Sequence, residues 1–351
     1  MKTTLRVGMI GAGAIAFNHC SGINSHPQAK VVAVADLNRR RAKTIQKKFG
    51  IDKTATQWKD IISDPDIDAV SVALPNMFHA PVAIAALKAG KHVMLDKPFA
   101  MNRHEAERII DAAKEAGKTF MLGMNIRFME NVQRVKALTE KGELGEIYHA
   151  KAYYLRQSGA PKFGTWFCNK KLSGGGCMLD IGVHMLDSCL YLMNNWQPVS
   201  VFGSTYTKFG NRGIGEGSWG MSDKGKQVFD VDDFATALIK FKNGATVQLD
   251  ASWVLLCETP KTNIELFGTK GGAAAFPTAR LFKFGKKGKF DIKEPKNVKI
   301  AYPKCNRFVN WVDVILGKDK PMCTPAQALT VQKILDGIYE SSKTGKEVRI
   351  R

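Results

Sequence analysis

Two spacings of apolar residues alternate through the first third of this chain. Leu5 to Ile10 has the density of a short buried strand, and from Gly11 the pattern turns directly helical. Lys30 to Ala35 repeats the strand signal, and Arg39 to Phe49 reads as a basic helix that Gly50 closes. A short helix around Trp58, a strand from Asp66 to Leu74, an alanine-rich helix from Pro81 to Ala89 and a strand from Lys91 to Leu95 follow. Asn102 and Glu105 have capping-box spacing for a helix to Ala116, which Gly117 ends. Thr119 to Gly123 is another strand. This alternation predicts a parallel, doubly wound sheet with right-handed crossovers.

Beyond Gly123 the spacing of two dominates. Gly145 to Leu155, Val199 to Thr207, Phe234 to Phe241, Ala245 to Trp253 and Lys261 to Phe267 all have strand character, and Asn243-Gly244 is a hairpin signal between two of them. A helix is expected from about Cys177 to Met193, after the flexible run Ser173 to Gly176. Phe282 to Lys299 alternates lysine with apolar residues, which suits an exposed, edge-protected hairpin. Two helices, Cys305 to Leu316 and Pro325 to Ser342, close the chain, with Thr324 as a cap for the second. The division this implies is a dinucleotide-binding domain over 1–123 and a substrate-binding and oligomerisation domain over 124–351.

Composition narrows the classes. A chain of 351 residues, 44% apolar and 24% charged, has room for two cored domains. No apolar run reaches membrane-spanning length, and Met1 to Thr4 leads straight into the first strand, leaving no room for a signal peptide. The seven cysteines are scattered, odd in number and without a Cys-x-x-Cys pair, which favours reduced thiols in a cytoplasm over disulfides or a zinc site. The net charge of +20 raises the question of a nucleic-acid partner. Its basic residues are dispersed among acids, and no aromatic-interleaved basic motif is present, so the reading is no nucleic acid, no membrane and no metal.

Candidate chemistry starts at the glycine turn. Gly11 suits a tight turn after the strand, Gly13 lets a pyrophosphate approach the backbone, and Ala16 lets the helix pack on the strand. The helix start at Ala14 and Ile15 supplies amides for the phosphates. Asp36 ends the second strand about 20 residues on, where a ribose-binding carboxylate belongs, with Leu37 and Arg40 beside it at the cofactor. Arg39 to Arg41 would receive a 2′-phosphate, whereas Asp36 repels one; the carboxylate sits at the strand tip itself, so NAD is favoured and NADP stays open. Pro75, Asn76 and His79 form a turn expected over the nicotinamide half. Lys97, followed by Pro98, stands at the carboxyl end of a strand, where ligands of such folds bind.

Taken with Arg127-Phe128 and the run from Gly174 through Asp180 to His184, these motifs carry a resemblance over nearly the whole chain. The sequence resembles the glucose–fructose oxidoreductase / inositol dehydrogenase / rhizopine-catabolism family of nicotinamide-dependent sugar and polyol oxidoreductases. The family usually has Glu-Lys-Pro where this chain has Asp96-Lys97-Pro98, which leaves the contacts of Asp96, a cofactor-side residue, open. The resemblance implies a second domain with a large, open, mainly antiparallel sheet, covered by a neighbouring subunit in a homodimer or homotetramer. From spacing alone, Asp180 and His184 read first as a helix-surface pair and second as a metal pair, for which no third ligand of suitable spacing is evident. By resemblance they act with Lys97 as the acid–base set. His184 would take the hydroxyl proton, Asp180 would orient substrate and imidazole, and Lys97 would stabilise the developing oxyanion.

Arg127, Tyr154, Arg156, Trp166 and Asn169 are candidates for the sugar pocket, together with Asp180 and His184. The glycine-rich stretch Gly210 to Gln227 reads equally as a lid or as an arm to a neighbouring subunit. The expected activity is hydride transfer between a sugar, cyclitol or glycoside secondary hydroxyl and NAD. Two other readings compete: a redox-neutral glycoside hydrolase or lyase working by transient ring oxidation, and a dinucleotide-binding regulator. The intact Lys97, Asp180 and His184 argue against the regulator.

Overall fold

Six parallel strands build the N-terminal sheet of the computed structural model, which describes residues 4–222, 228–303 and 305–351. In chain order these are β1 (Leu5–Ile10), α1 (Ala16–Asn24), β2 (Ala29–Ala35), α2 (Arg39–Phe49), β3 (Lys53–Ala55), α3 (Trp58–Ile62), β4 (Ala69–Val72), α4 (His79–Lys88), β5 (His92–Leu95), α5 (Arg103–Ala116) and β6 (Phe120–Leu122). The strand order β3-β2-β1-β4-β5-β6 reverses direction of travel at β1, the switch point where a doubly wound sheet opens a crevice for ligands. β4 and β5 show no alternation of buried and wet positions because both faces are covered; Val70, Val72, Val93 and Leu95 are all fully buried. The helix stops act as glycine stops should. Gly50 and Gly117 sit in the left-handed region at φ 62° and 60° and satisfy the last carbonyls.

The rest of the chain supplies α6 (Glu130–Glu140), β7 (Ile147–Leu155), a single turn α7 (Lys170–Ser173), α8 (Val183–Met193), β8 (Pro198–Tyr206), β9 (Phe234–Phe241), β10 (Thr246–Ser252), β11 (Lys261–Gly268), β12 (Gly272–Ala274), β13 (Arg280–Phe284), β14 (Phe290–Lys293), α9 (Arg307–Ile315), α10 (Pro325–Thr344) and β15 (Val348–Arg349). Nine strands form one sheet in the order β14-β13-β12-β11-β7-β10-β9-β8-β15, antiparallel except where β10 runs parallel to β7. β9 shows why the spacing of two was legible: Ala235, Ala237, Ile239 and Phe241 face the core while Leu238 and Lys240 face out. Phe202 and Leu238 lie directly opposite each other on that outer face, 50% and 43% exposed.

Two compact units result. The first comprises residues 4–124, 171–173 and 305–329, and the second comprises the remainder. The first unit takes in residues 305–329 because α9 packs with α1. Phe308, Trp311 and Val312 join the core of Val7, Met9 and Ile23, and a Cβ on Gly22 would lie 2.1 Å from the Phe308 ring.

Candidate functional site

In the first unit, the loop after β1 has the shape of a phosphate cradle. Gly11 adopts φ 96°, and a Cβ there would lie 2.2 Å from the carbonyl oxygen of Ala73 at the tip of β4. Only glycine meets both demands. Gly13 is the opposite case, since a Cβ there would meet nothing within 4 Å; its α-carbon borders open space at the start of α1, where Ala14 and Ile15 are exposed. Ala16 is fully buried against the strand. Asp36 ties the two halves of the cradle together: Oδ2 accepts from the amide of Ala12 at 2.7 Å and Oδ1 from the amide of Asn38 at 2.7 Å. Each oxygen keeps a further lone pair for a ribose hydroxyl. Asn38 in turn caps α2 by accepting from the amides of Arg40 and Arg41, which leaves Leu37 and Arg40 exposed beside the carboxylate. A cradle that a methyl at Gly13 would fill, with a carboxylate at its ribose end, fits NAD.

The tips of β4 and β5 carry the next group. Asn76 lies in a one-turn 3-10 helix after Pro75; its Nδ2 donates to the carbonyl of Ser173 at 2.6 Å, and its buried Oδ1 has no hydrogen-bond partner among the described residues. That is an acceptor held at the sheet's carboxyl edge. His79 is buried, with Nδ1 2.8 Å from the Pro98 carbonyl and Nε2 2.9 Å from the Leu74 carbonyl. Burial pushes its pKa down. Packed between the two strand ends, with a single ring N–H to donate to one of these carbonyls, His79 braces the Lys97–Pro98 bend. Lys97 itself is half-buried directly after β5.

Asp96 finds a partner that no local pattern reveals. Arg307, from the start of α9, donates Nη1 to Asp96 Oδ1 at 3.1 Å and to the Gly123 carbonyl at 2.6 Å, and Nη2 to Asn18 Oδ1 at 3.3 Å. His19 Nε2 lies 3.7 Å from the same carboxylate oxygen. Burial works to raise the Asp96 pKa, but the Arg307 guanidinium and the His19 contact hold it well below the usual carboxylate range. The Asp96 carboxylate is thus engaged by the Arg307 guanidinium, which supplies a contact that the departure from Glu-Lys-Pro had left open.

In the second unit, the helix expected from Cys177 does not begin as an α-helix. Met178–Gly182 forms a π turn, and α8 follows from Val183. Such wide turns within helices recur at functional sites. It is set by Asp232, whose Oδ1 accepts from the Gly176 amide at 2.7 Å and from the Tyr339 hydroxyl at 2.8 Å, and whose Oδ2 accepts from the Met178 amide at 3.0 Å. The backbone passes so close that a Cβ on Gly176 would lie 2.0 Å from the Asp232 carbonyl oxygen. Asp180 emerges from this turn buried, its Oδ2 accepting from the indole Nε1 of Trp253 at 2.9 Å. His184 stands half-buried in the first turn of α8.

Of the sugar-pocket candidates, Arg127 takes another part. It is fully buried, Nε and Nη2 donating to Asp187 at 2.8 and 2.6 Å, with Tyr191 and Trp196 over its guanidinium at 5.1 Å each. That set ties the 3-10 turn before α6 to α8 and occupies the guanidinium that was expected at the sugar. Tyr154 and Arg156 remain half-exposed as a pair: the guanidinium stacks on the Tyr154 ring at 4.7 Å and reaches its hydroxyl at 3.2 Å. Trp166 stacks on Phe167 at 3.8 Å, and Asn169 follows half-buried. The glycine-rich stretch is laced to the same segment over residues 210–222. Its Trp219 donates Nε1 to the Gly159 carbonyl at 2.9 Å, and the Asp233 carboxylate accepts from the amides of Lys208, Phe209 and Gly210. Residues 223–227 of that stretch, and 1–3 at the N-terminus, lie outside the described residues. Asp232, Asp233, Trp253 and Arg307 escaped the sequence reading because each acts on a segment far from it in the chain.

Residues 5–124 match the oxidoreductase family with an NAD-binding Rossmann fold, and residues 132–274 match the GFO/IDH/MocA C-terminal domain. The chain is 31% identical to the D-glucoside 3-dehydrogenase of Escherichia coli strain K12, over 99% of this chain and 98% of that protein. It is also 31% identical to the levoglucosan dehydrogenase of Pseudarthrobacter phenanthrenivorans, over 76% and 72% of the two chains. A crystal structure of an NAD-binding protein from Listeria innocua superimposes with a TM-score of 0.80 at 25% identity, covering 99% of this chain and 97% of that one. The chain belongs to the GFO/IDH/MocA family: it is an oxidoreductase whose first unit is an NAD-binding Rossmann domain.

Proposed function

We propose that this enzyme is an NAD-dependent dehydrogenase of sugar, cyclitol or glycoside secondary hydroxyls, with D-glucosides as the first class to test. The observation that carries the reading is the end-to-end likeness to a D-glucoside 3-dehydrogenase, matching 99% of the chain. Gly11, Gly13, Ala14 and Ile15 hold the pyrophosphate, Asp36 the ribose, and Pro75 and Asn76 the nicotinamide end. The bound cofactor supplies a hydride acceptor.

The chain's own residues manage the proton. His184 takes the hydroxyl proton as general base. Asp180 orients the hydroxyl and stabilises the imidazolium. Lys97 donates to the reacting oxygen and offsets its developing negative charge. Tyr154, Arg156, Trp166 and Asn169 remain the candidates for sugar selection. The apolar residues on the outer sheet face, Phe202 and Leu238 among them, fit burial in a homodimer or homotetramer; solution mass by light scattering checks this.

The test is appearance of reduced-nicotinamide absorbance with methyl and aryl glucosides, aldoses, myo-inositol and scyllo-inositol, with NAD and NADP in parallel. Turnover of a glucoside or sugar with NAD is the expected result. Silence across the panel, with cofactor retained on the purified protein and the glycosidic bond cleaved, would replace it with the redox-neutral reaction.

A further inference from the structure

Asp180 lies in a wide turn of five residues that, by itself, would give its carboxylate several directions to point. Two neighbouring peptide carbonyls remove that freedom. The carbonyl of Asp232 accepts from the Cys177 amide at 2.9 Å, at the head of the π turn, and the carbonyl of Asp233 accepts from the Trp253 amide at 2.8 Å. The segment carrying the carboxylate and the residue that meets it are therefore pinned to consecutive positions of one strand lead-in. The Trp253 indole then closes the arrangement by donating Nε1–H to Asp180 Oδ2 at 2.9 Å.

The indole is itself fixed. Trp253 is fully buried, with Trp219 edge-on to it at 6.4 Å and Phe229 at 6.3 Å. On the other side of the turn, a Cβ on Gly182 would lie 3.2 Å from Ala251, so the π turn rests directly on β10, the strand that Trp253 follows. An indole N–H is a donor and never an acceptor. It bonds an ionised oxygen more strongly than a protonated carboxyl, so this contact favours the ionised form of Asp180 and one orientation of it.

We infer that Trp253 is a positioning residue for the reaction, holding the Asp180 carboxylate in a single orientation through its indole N–H, with the Asp232–Asp233 backbone setting the two in register. This rests on the reading of Asp180 as a member of the acid–base set. Trp253 touches neither reacting atom; it acts through Asp180.

Two measurements on the NAD-bound enzyme test it. In protein labelled with [15N]tryptophan, one of the six indole N–H resonances should lie downfield, vanish in Trp253→Phe, and move upfield in Asp180→Asn, whose amide oxygen accepts more weakly. An Asp180→Asn spectrum with all six resonances unmoved overturns the inference, and this holds even where Trp253→Phe fails to fold. In kinetics, Trp253→Phe should lower kcat about 10–100-fold, the range for loss of a hydrogen bond to a charged group, while leaving KM for NAD unchanged. A packing role alone would lower stability without that split. Wild-type kcat in Trp253→Phe, with turnover abolished in Asp180→Asn, sinks the positioning role and spares the acid–base reading. Wild-type turnover in Asp180→Asn sinks the acid–base reading itself.

Discussion

Gly11 and Gly13 stand two residues apart in one loop, yet their replacement by alanine should fail in different ways. At Gly11 the backbone angle of 96° lies where an L-residue costs about 1–2 kcal/mol. The new methyl would also sit 2.2 Å from the Ala73 carbonyl oxygen, a backbone atom of the β4 tip that cannot swing aside. Together these should cost about 3 kcal/mol or more, lowering Tm by roughly 6–12 °C even without cofactor. At Gly13 the methyl meets no atom within 4 Å, so the cofactor-free Tm should stay within about 1 °C of wild type. On the reading proposed above, what Gly13→Ala fills is the space for the pyrophosphate. Overpacking of about 1.4–2.7 kcal/mol there corresponds to a Kd for NAD raised tenfold to hundredfold. Thermal unfolding with and without NAD separates the two. At 100 times the wild-type Kd, NAD should stabilise wild type by about 2.7 kcal/mol and Gly13→Ala by only about 0.4–1.4 kcal/mol. Were Gly13→Ala to lose cofactor-free stability as Gly11→Ala does, or to keep the full NAD shift, the cradle would be misassigned.

Asp36→Ser should weaken NAD by about tenfold or more, the value of a charge-assisted hydrogen bond, and raise the relative use of NADP through the nearby Arg40; the ratio of kcat/KM values for the two cofactors measures it. Arg127→Met strands Asp187 in the core beside two aromatic rings and should cost about 3–5 kcal/mol, read by urea unfolding. His92 accepts from the Thr119 amide through Nδ1, and burial, helped by the Lys118 charge, lowers its pKa to about 4. Because the folded value lies below the unfolded one, the stability that neutral His92 contributes is complete above about pH 6.5 and is lost as pH falls toward 4. His92→Gln should flatten that part of the Tm–pH curve, and an unchanged slope would remove His92 as its source.

Both sheets were visible in the apolar spacing because each unit's strands have a consistent environment. Strands such as β2 are buried on both faces and read as solid apolar runs from Val31 to Ala35; β9, with one wet face, alternates. The glycine turn and the carboxylate after β2 were legible because both are local features, lying within 26 residues of sequence. The remainder was hidden by distance or by an irregularity. Arg307 reaches Asp96 across 211 residues, and no periodicity encodes such a pairing. Cys177 to Met193 has the spacing of one regular helix, whereas the Asp232 carboxylate, 54 residues from the Met178 amide it binds, imposes the π turn. Trp253 looks like the last residue of a strand, and only the fold brings its indole to Asp180.

The return of α9 to the Rossmann core has a consequence for the order in which the protein is made. The first 124 residues leave the ribosome with every strand of their sheet, but the aromatic cover over α1 is encoded 180 residues later, at Phe308 and Trp311. At about 5–20 residues per second, that interval lasts roughly 10–40 s. Through it Cys20, Gly22 and Ile23 border an apolar surface still waiting for its lid, and Asp96 waits for its guanidinium. Nascent chains should therefore be most exposed to chaperones and proteases in that window. A fragment cut after Met124 would carry the same open surface permanently, so the nucleotide-binding unit is better isolated with residues 305–329 tethered back to it than as an N-terminal piece.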